Sequence, residues 1–203
     1  MYFFTVPDIL KKIYGKNITW KMDPSEKSIW LTFDDGPNPA VTPWVLDILK
    51  KYDAKATFFC LGKNVESNPE IFKTIIREGH SVGNHSYSHK NGWCTHSNVY
   101  IADVEKCNQY VNAKFFRPPY GKLKPSQLQQ LKQKYSIILW SLISGDFDIN
   151  LKKEKCLDAV LNYTKSGTII VFHDSLKAKE KLEFVLPKFL EHFKNLGYTF
   201  PAL

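Results

Sequence analysis

The chain has 203 residues, 43% of them hydrophobic and 14% aromatic, which is enough for one sizeable core, and its 24% charged content is that of an ordinary globular domain. No stretch approaches the roughly 20 apolar residues a bilayer span needs. The formal charge of +8 comes from scattered lysines such as Lys11, Lys50, Lys152 and Lys177 rather than from a basic block interleaved with aromatics, which argues against a nucleic-acid groove and for solvated helix faces, with an anionic cell-wall polymer or lipid headgroup as the sharper alternative.

The apolar run over residues 1–6 is too short for a signal-peptide core and is broken by Pro7 and Asp8. The expectation is a cytoplasmic or membrane-peripheral protein, monomeric by default, with residues 1–27 packed as an extension on a single domain of residues 28–203. Residues 28–33 read as a first strand closed by Gly36 and Pro37, and residues 42–51 as a helix with Val45, Leu46 and Leu49 on one face. A second strand spans residues 55–60. The next helix starts at Pro69 with Asn68 as its N-cap and runs to about Arg77. Residues 79–83 form a short third strand, 98–111 a helix and 114–116 a fourth strand. Pro125 opens a helix with Leu128 and Leu131 on one side, followed by a fifth strand at 135–140 that holds Trp140 in the core. A helix at 152–164, a sixth strand at 167–172, a long helix at 180–193 stopped by Gly197 and a last strand at 198–200 complete the chain. About seven successive β-α units imply a parallel sheet with right-handed crossovers, either a closed or nearly closed barrel or an open doubly wound sheet.

Four cysteines occur, at 60, 94, 107 and 156, and none forms a CxxC pair. Cys60 ends an apolar run and reads as a buried free thiol; whether Cys94 and Cys107 are bridged stays open.

Polar residues crowd one end of the strands. Asp34 and Asp35 follow the first, His85 and His89 the third, Arg117 and Tyr120 the fourth, Asp146 the fifth, and His173 with Asp174 the sixth. In α/β barrels those ends converge on one mouth, where active sites sit. His85 and His89 fall on one face if their segment is helical, and a tight loop would also gather them. Two imidazoles do not complete a catalytic metal site, which takes three protein ligands, and Asp35 is a candidate third. Adjacent carboxylates repel unless their tasks are divided, one binding metal and the other taking a proton from water. The bland alternative is that Asp35, Gly36 and Pro37 form a turn. Trp93, in the loop after the histidines, offers a face for a sugar ring or for apolar packing.

The motifs Thr32-Phe-Asp-Asp-Gly-Pro37, His85-Ser-Tyr-Ser-His89, Arg117-Pro-Pro-Tyr-Gly121 and Val171-Phe-His-Asp174 resemble, in order, those of polysaccharide deacetylases, the carbohydrate esterase family 4 enzymes with a NodB homology domain. The resemblance runs from about Ser28 to the C-terminus. It implies a distorted (β/α)7 TIM-like barrel, one divalent metal ion with zinc as the default and cobalt, nickel or manganese also admissible, and removal of N- or O-acetyl groups from glycans such as peptidoglycan or chitin-like oligomers. By that resemblance Asp34 is the catalytic base, Asp35, His85 and His89 the metal ligands, Arg117 the clamp on the base, Tyr120 an oxyanion donor through its backbone N–H, and His173 the general acid supported by Asp146. Ile143 and Phe147 stand where the family pattern has Asp and Trp; Phe147 and Val171 keep an apolar wall for an acetyl methyl, and Asp148 is a partial substitute for the missing Asp. A deformylase or amidase of a lipid-linked amino sugar, and a non-catalytic glycan-binding barrel, are the alternatives.

Overall fold

The computed structural model of the chain describes residues 4–6 and 17–203. Its strands are β1 (Ile18–Thr19), β2 (Trp30–Asp34), β3 (Ala56–Cys60), β4 (Ser81–Asn84), β5 (Phe115–Phe116), β6 (Ser136–Ile138), β7 (Leu142–Ile143) and β8 (Ile169–His173). The helices are α1 (Thr42–Lys51), α2 (Gly62–Ser67), α3 (Pro69–Arg77), α4 (Ser97–Asn108), α5 (Pro125–Leu131), α6 (Lys153–Tyr163) and α7 (Lys179–Asn195). The sheet order is β1-β6-β5-β4-β3-β2-β8-β7, and every ladder in it is parallel. No ladder joins β1 to β7 among the described residues, so the sheet curls into a distorted, open barrel. Of the two architectures the sequence allowed, the barrel is the one formed, as a single domain.

Residues alternate across the central strands because successive side chains point to opposite faces. Leu31 and Phe33 of β2 join the layer under the helices, where Phe33 stacks between Phe58 and Phe172 at 5.1 and 5.9 Å and Phe172 meets Phe189 of α7. Burying a side chain such as Phe33 contributes about 1.5–3 kcal/mol. The opposite faces hold Thr32 and Asp34, and the inward Phe59, Ile138 and Ile169 form a separate cluster. Parallel register then aligns Asp34 with His173, and Asn84 with Phe116, so His85 and Arg117 leave their strands side by side.

Start signals hold where proline sits in the first helical turn, as in α1, α3 and α5. Asn68 occupies the N-cap position of α3, but its amide donates to Asn64 O at 3.0 Å instead of capping. Residues 198–200 do not form a strand. Thr199 makes a single parallel bridge to Ser28, and Pro201, which has no N–H to donate, follows directly. Trp140 lies beyond the end of β6 and is only half-buried, so it is not a strand residue of the core. All four cysteines are free, and the exposed Cys94 is not bridged to the buried Cys107.

The N-terminal residues cover edges. Ile143 N–H donates to Phe4 O at 2.8 Å, and Thr5 bridges Leu142. Met22 N–H donates to Gly167 O at 2.8 Å; Gly167 has φ +82°, and a Cβ there would lie 2.5 Å from Met22 O, so only glycine admits the approach. Among the described residues no helix is long and apolar enough to cross a membrane.

Candidate active site

Four residues at the mouth hold left-handed backbone that non-glycine residues rarely adopt: Asp35 (φ 81°), Ser86 (64°), His89 (60°) and Tyr120 (60°). Each such residue costs of order 1–3 kcal/mol and persists only where its surroundings enforce it. Around Asp35 the enforcement is visible. Asn64 of α2 donates its amide to Asp35 O at 2.6 Å, and Leu61 N–H donates to Gly36 O at 3.0 Å. A Cβ on Gly36 would lie 1.9 Å from Asp174 Oδ2, so the buried Asp174 carboxyl is seated against this turn. Asp174 accepts a hydrogen bond from Thr42 Oγ1 at 2.5 Å, and burial pushes its pKa up to about 8.

The two histidines sit in a tight loop, not a helix. Asn84 accepts Ser86 N–H at 2.8 Å, and Ser86 Oγ accepts His89 N–H at 3.0 Å. Asp103 of α4 accepts Tyr87 N–H at 3.1 Å, Ser88 N–H at 3.0 Å and Ser88 Oγ–H at 2.6 Å. His85 Nδ1 lies 2.7 Å from Arg117 O; a carbonyl only accepts, so Nδ1 carries the proton and the Nε2 lone pair faces the cavity. Burial, reinforced by His85, lowers the His89 pKa to about 4, which leaves that ring neutral.

Asp35 Oδ1 lies 3.2 Å from His89 Nε2 and 3.7 Å from His85 Nε2, and one ligand atom from each of the three residues lies within 4.8 Å of the others. Asp35 Oδ1 is buried without a hydrogen-bond partner, as expected of an oxygen shaped for a cation. One carboxylate and two imidazoles fit a divalent metal ion with coordination positions left open. Substituting Asp103 with Asn is expected to weaken Zn2+ binding by about 10- to 100-fold, the usual effect of loosening a ligand's support. Competition against a chromophoric chelator measures it, and wild-type affinity would show that Asp103 does not hold the loop.

Beside this cluster lies a buried ion pair. Arg117 is fully buried, and its Nη1 donates to Asp34 Oδ1 and to Thr32 Oγ1, both at 2.7 Å. Nε and Nη2 donate to Ile138 O at 3.2 Å and Leu139 O at 3.1 Å, and the guanidinium lies 4.0 Å above the Phe59 ring. Burial alone would raise the Asp34 pKa; Arg117, with His85 and His173, outweighs it and holds the carboxyl below its ordinary value.

Across the cavity, buried Asp146 faces His173. Its Oδ1 lies 2.8 Å from His173 Nδ1 and its Oδ2 accepts His173 N–H at 2.7 Å. Burial would lower the His173 pKa, but the Asp146 carboxylate dominates and raises it to about 9. Ile143 leaves this pair intact. Asp148 does not replace the missing Asp: its carboxylate accepts Asn150 N–H at 2.9 Å in a local turn.

Asp34, Asp35, His85, His89 and His173 line one cavity of about 470 Å³, with Arg117 and Asp146 fully buried behind it. Tyr120, Phe147 and Val171 line it as expected, whereas Trp93 stands outside the lining, 55% exposed. Trp140, Ser175 and Lys177 also line the cavity, and Asn64, Asn84, Asp103 and Asp174 hold its loops from behind. Asp174 was visible as the end of the Val171–Asp174 motif; Asp103 reads as an ordinary helix acid, and nothing near it in the chain marks its role.

Residues 21–135 match the family model described as polysaccharide deacetylase. The chain is 34% identical over 196 residues to a peptidoglycan-N-acetylglucosamine deacetylase of Bacillus cereus, covering 90% of this chain and 89% of that protein. It is 40% identical over 162 residues to the peptidoglycan-N-acetylmuramic acid deacetylase PdaC of Bacillus subtilis, 75% of this chain and 33% of that one. The crystal structure of the Bc1960 peptidoglycan N-acetylglucosamine deacetylase superposes with a TM-score of 0.89 at 32% identity, covering 98% of this chain and 95% of that one. With more than half its length matched by the family model and a relative of that identity over nine-tenths of it, the chain belongs to the polysaccharide deacetylases.

Proposed function

We propose that this chain removes N-acetyl groups from an amino-sugar glycan, with peptidoglycan-type strands as the substrate, through a domain of residues 28–203 that carries residues 1–27 as an extension. The observation that supports this best is the pairing of an ionised, Arg117-clamped Asp34 with a proton-holding His173 in one cavity beside the Asp35, His85 and His89 cluster. A hydrolase of an amide needs both forms at once, a base to take a proton from water and an acid to give one to the leaving amine.

Asp35, His85 and His89 would hold one divalent ion, with zinc as the default for two imidazoles and one carboxylate. When bound, it supplies Lewis-acid polarisation of the acyl group and acidifies water. Asp34 takes the proton of the attacking water. Arg117 holds Asp34 ionised and fixed, and Tyr120 turns its backbone N–H toward the oxygen that gains charge. His173 protonates the departing amine, with Asp146 keeping its ring charged and oriented. Val171, Phe147 and Trp140 enclose the acyl methyl, and Trp93 offers its exposed face to a neighbouring sugar ring.

The test is acetate release from N-acetylated glycans and O-acetyl esters, with chelated protein as control. Release from the N-acetylated glycans that chelation abolishes is expected. Because the His173 pKa is raised, the acid form persists through neutrality and is lost as pH rises through about 9, so turnover falls above that pH. Formate from a lipid-linked formamide, with no acetate from any glycan, would overturn the assignment.

A further inference from the structure

We propose that Trp140, Ile143, Phe147 and Val171 form a pocket for aliphatic acyl groups longer than acetyl, with Ile143 setting the accepted length, so that the protein also hydrolyses N-propionyl and N-butyryl amino sugars. This rests on the amide-hydrolase reading above and widens its substrate class. The bonds made and broken are those of acetyl removal. The oxygen of water joins the acyl carbon and the carbon–nitrogen bond breaks. Asp34 takes one proton and His173 gives one to the amine, leaving a short-chain carboxylate and a free amino sugar.

Three of the four directions around the acyl carbon are taken by polar groups. The attacking water comes from the side of Asp34, and the acyl oxygen turns to the Tyr120 N–H and to the Asp35, His85 and His89 cluster. The nitrogen faces His173, whose ring is bonded to Asp146. Ser175 and the exposed Lys177 add further polar lining. What remains of the lining is apolar: Trp140, Ile143, Phe147 and Val171. The alkyl end of the acyl group has no other apolar surface in the cavity to meet.

The backbone builds this wall firmly. Ile143 of β7 is the register partner of Val171 of β8, and neighbouring strands lie about 4.8 Å apart. Leu142 enters the main core on the other face, so alternation turns Ile143 toward the cavity. β7 is pinned on both sides, because Ile143 N–H donates to Phe4 O at 2.8 Å and Ser144 N–H donates to Val171 O at 3.0 Å. Phe147 packs edge-on to His173 with centroids 5.1 Å apart, which sets one end of the wall beside the general acid. At the other end the Trp140 ring lies against Gly121, the neighbour of Tyr120, where a Cβ would approach the ring to 2.9 Å. The wall therefore reaches from the leaving-group side of the cavity to the oxyanion side, and a single methyl covers only part of it. Each further CH2 laid along it removes apolar surface from water.

The test uses one glucosamine oligomer acylated uniformly with acetyl, propionyl or butyryl groups, and reads the free amine, a signal common to the whole series. Zn2+-loaded wild-type protein is expected to release amine from every member, with KM falling about two- to fourfold per added CH2. Release confined to the acetyl oligomer, or kcat/KM that falls with acyl length, overturns the proposal. Ile143→Asp should lower the butyryl-over-acetyl ratio of kcat/KM by about tenfold, because an alkyl chain laid on a carboxylate strips it of water, whereas Ile143→Leu should preserve the ratio. Ile143→Thr keeps the β-branched shape that suits β7 and adds only a hydroxyl, so it reads the same loss where the Asp variant does not fold. A ratio unchanged in Ile143→Thr and in folded Ile143→Asp overturns the role of Ile143. Calorimetric binding of the series to Asp34→Asn protein separates the pocket from the reaction. Affinity that rises with acyl length, and loses that dependence when Ile143→Thr is added, upholds the pocket even where no amine is released; affinity independent of acyl length overturns it.

Discussion

Asp34→Asn is expected to lower the rate of acetate release by about 10²- to 10⁴-fold, the range attributed to a positioned general base, while Zn2+ still binds. The asparagine keeps the shape of the side chain and can accept the 2.7 Å hydrogen bond from Arg117 Nη1, so the buried guanidinium is not left without a partner. What it loses is a basic oxygen near the cluster: Asp34 Oδ2 lies 3.9 Å from His85 Nε2. Asp35, His85 and His89 are untouched, so the metal content of the variant, measured by atomic emission alongside turnover, separates base from ligand. Near-wild-type turnover in metal-loaded protein would reject Asp34 as the base.

Arg117→Met is expected to be the most damaging change to stability, costing about 3–5 kcal/mol, because removing one member of a buried ion pair strands the other. The methionine also leaves Ile138 O and Leu139 O without the donors that Nε and Nη2 provide. The pH dependence has a definite sign. Asp34 has a depressed pKa in the folded protein, so its contribution is present above the ordinary value of 3.8 and is lost as pH falls through the folded value. Without Arg117 the dominant influence on Asp34 is burial, which raises its pKa and favours the neutral acid. The stability gap to wild type should therefore be widest near neutrality and narrow as acid protonates Asp34. Urea denaturation at several pH values measures the gap, and adding Asp34→Asn to Arg117→Met should recover part of the loss. Strict additivity of the two substitutions would show that the pair is not energetically coupled.

Both results depend on contacts of very different sequence range, and that range decides what could be read before the fold was known. Local chemistry was legible. Apolar runs running into Asp34 and His173, prolines in the first turns of α1, α3 and α5, and the glycine that stops α7 follow from residues within a turn or two of each other. The convergence of five loops on one mouth was legible too, since parallel β-α units place all strand ends on one side.

The sequence by itself therefore determined the succession of β-α units, the candidate reactive groups and their order along the chain. The choice of a barrel over an open sheet came from the resemblance and was settled by the strand order. Tertiary structure alone decided how those groups are held. Asn64 on Asp35, Asp103 on the histidine loop and Asp174 under Gly36 act across gaps that leave no periodicity to detect. The same is true of β1 and β7, two residues each, and of α2, whose only buried apolar side chain is Val65. Trp140 and Lys177 show the limit most clearly, one reading as core and the other as surface until chain curvature turned both toward the cavity. Period and capping arise from neighbours in the chain, whereas a left-handed turn at Ser86 or a matched charge at Asp34 is stabilised by whatever the fold brings against it.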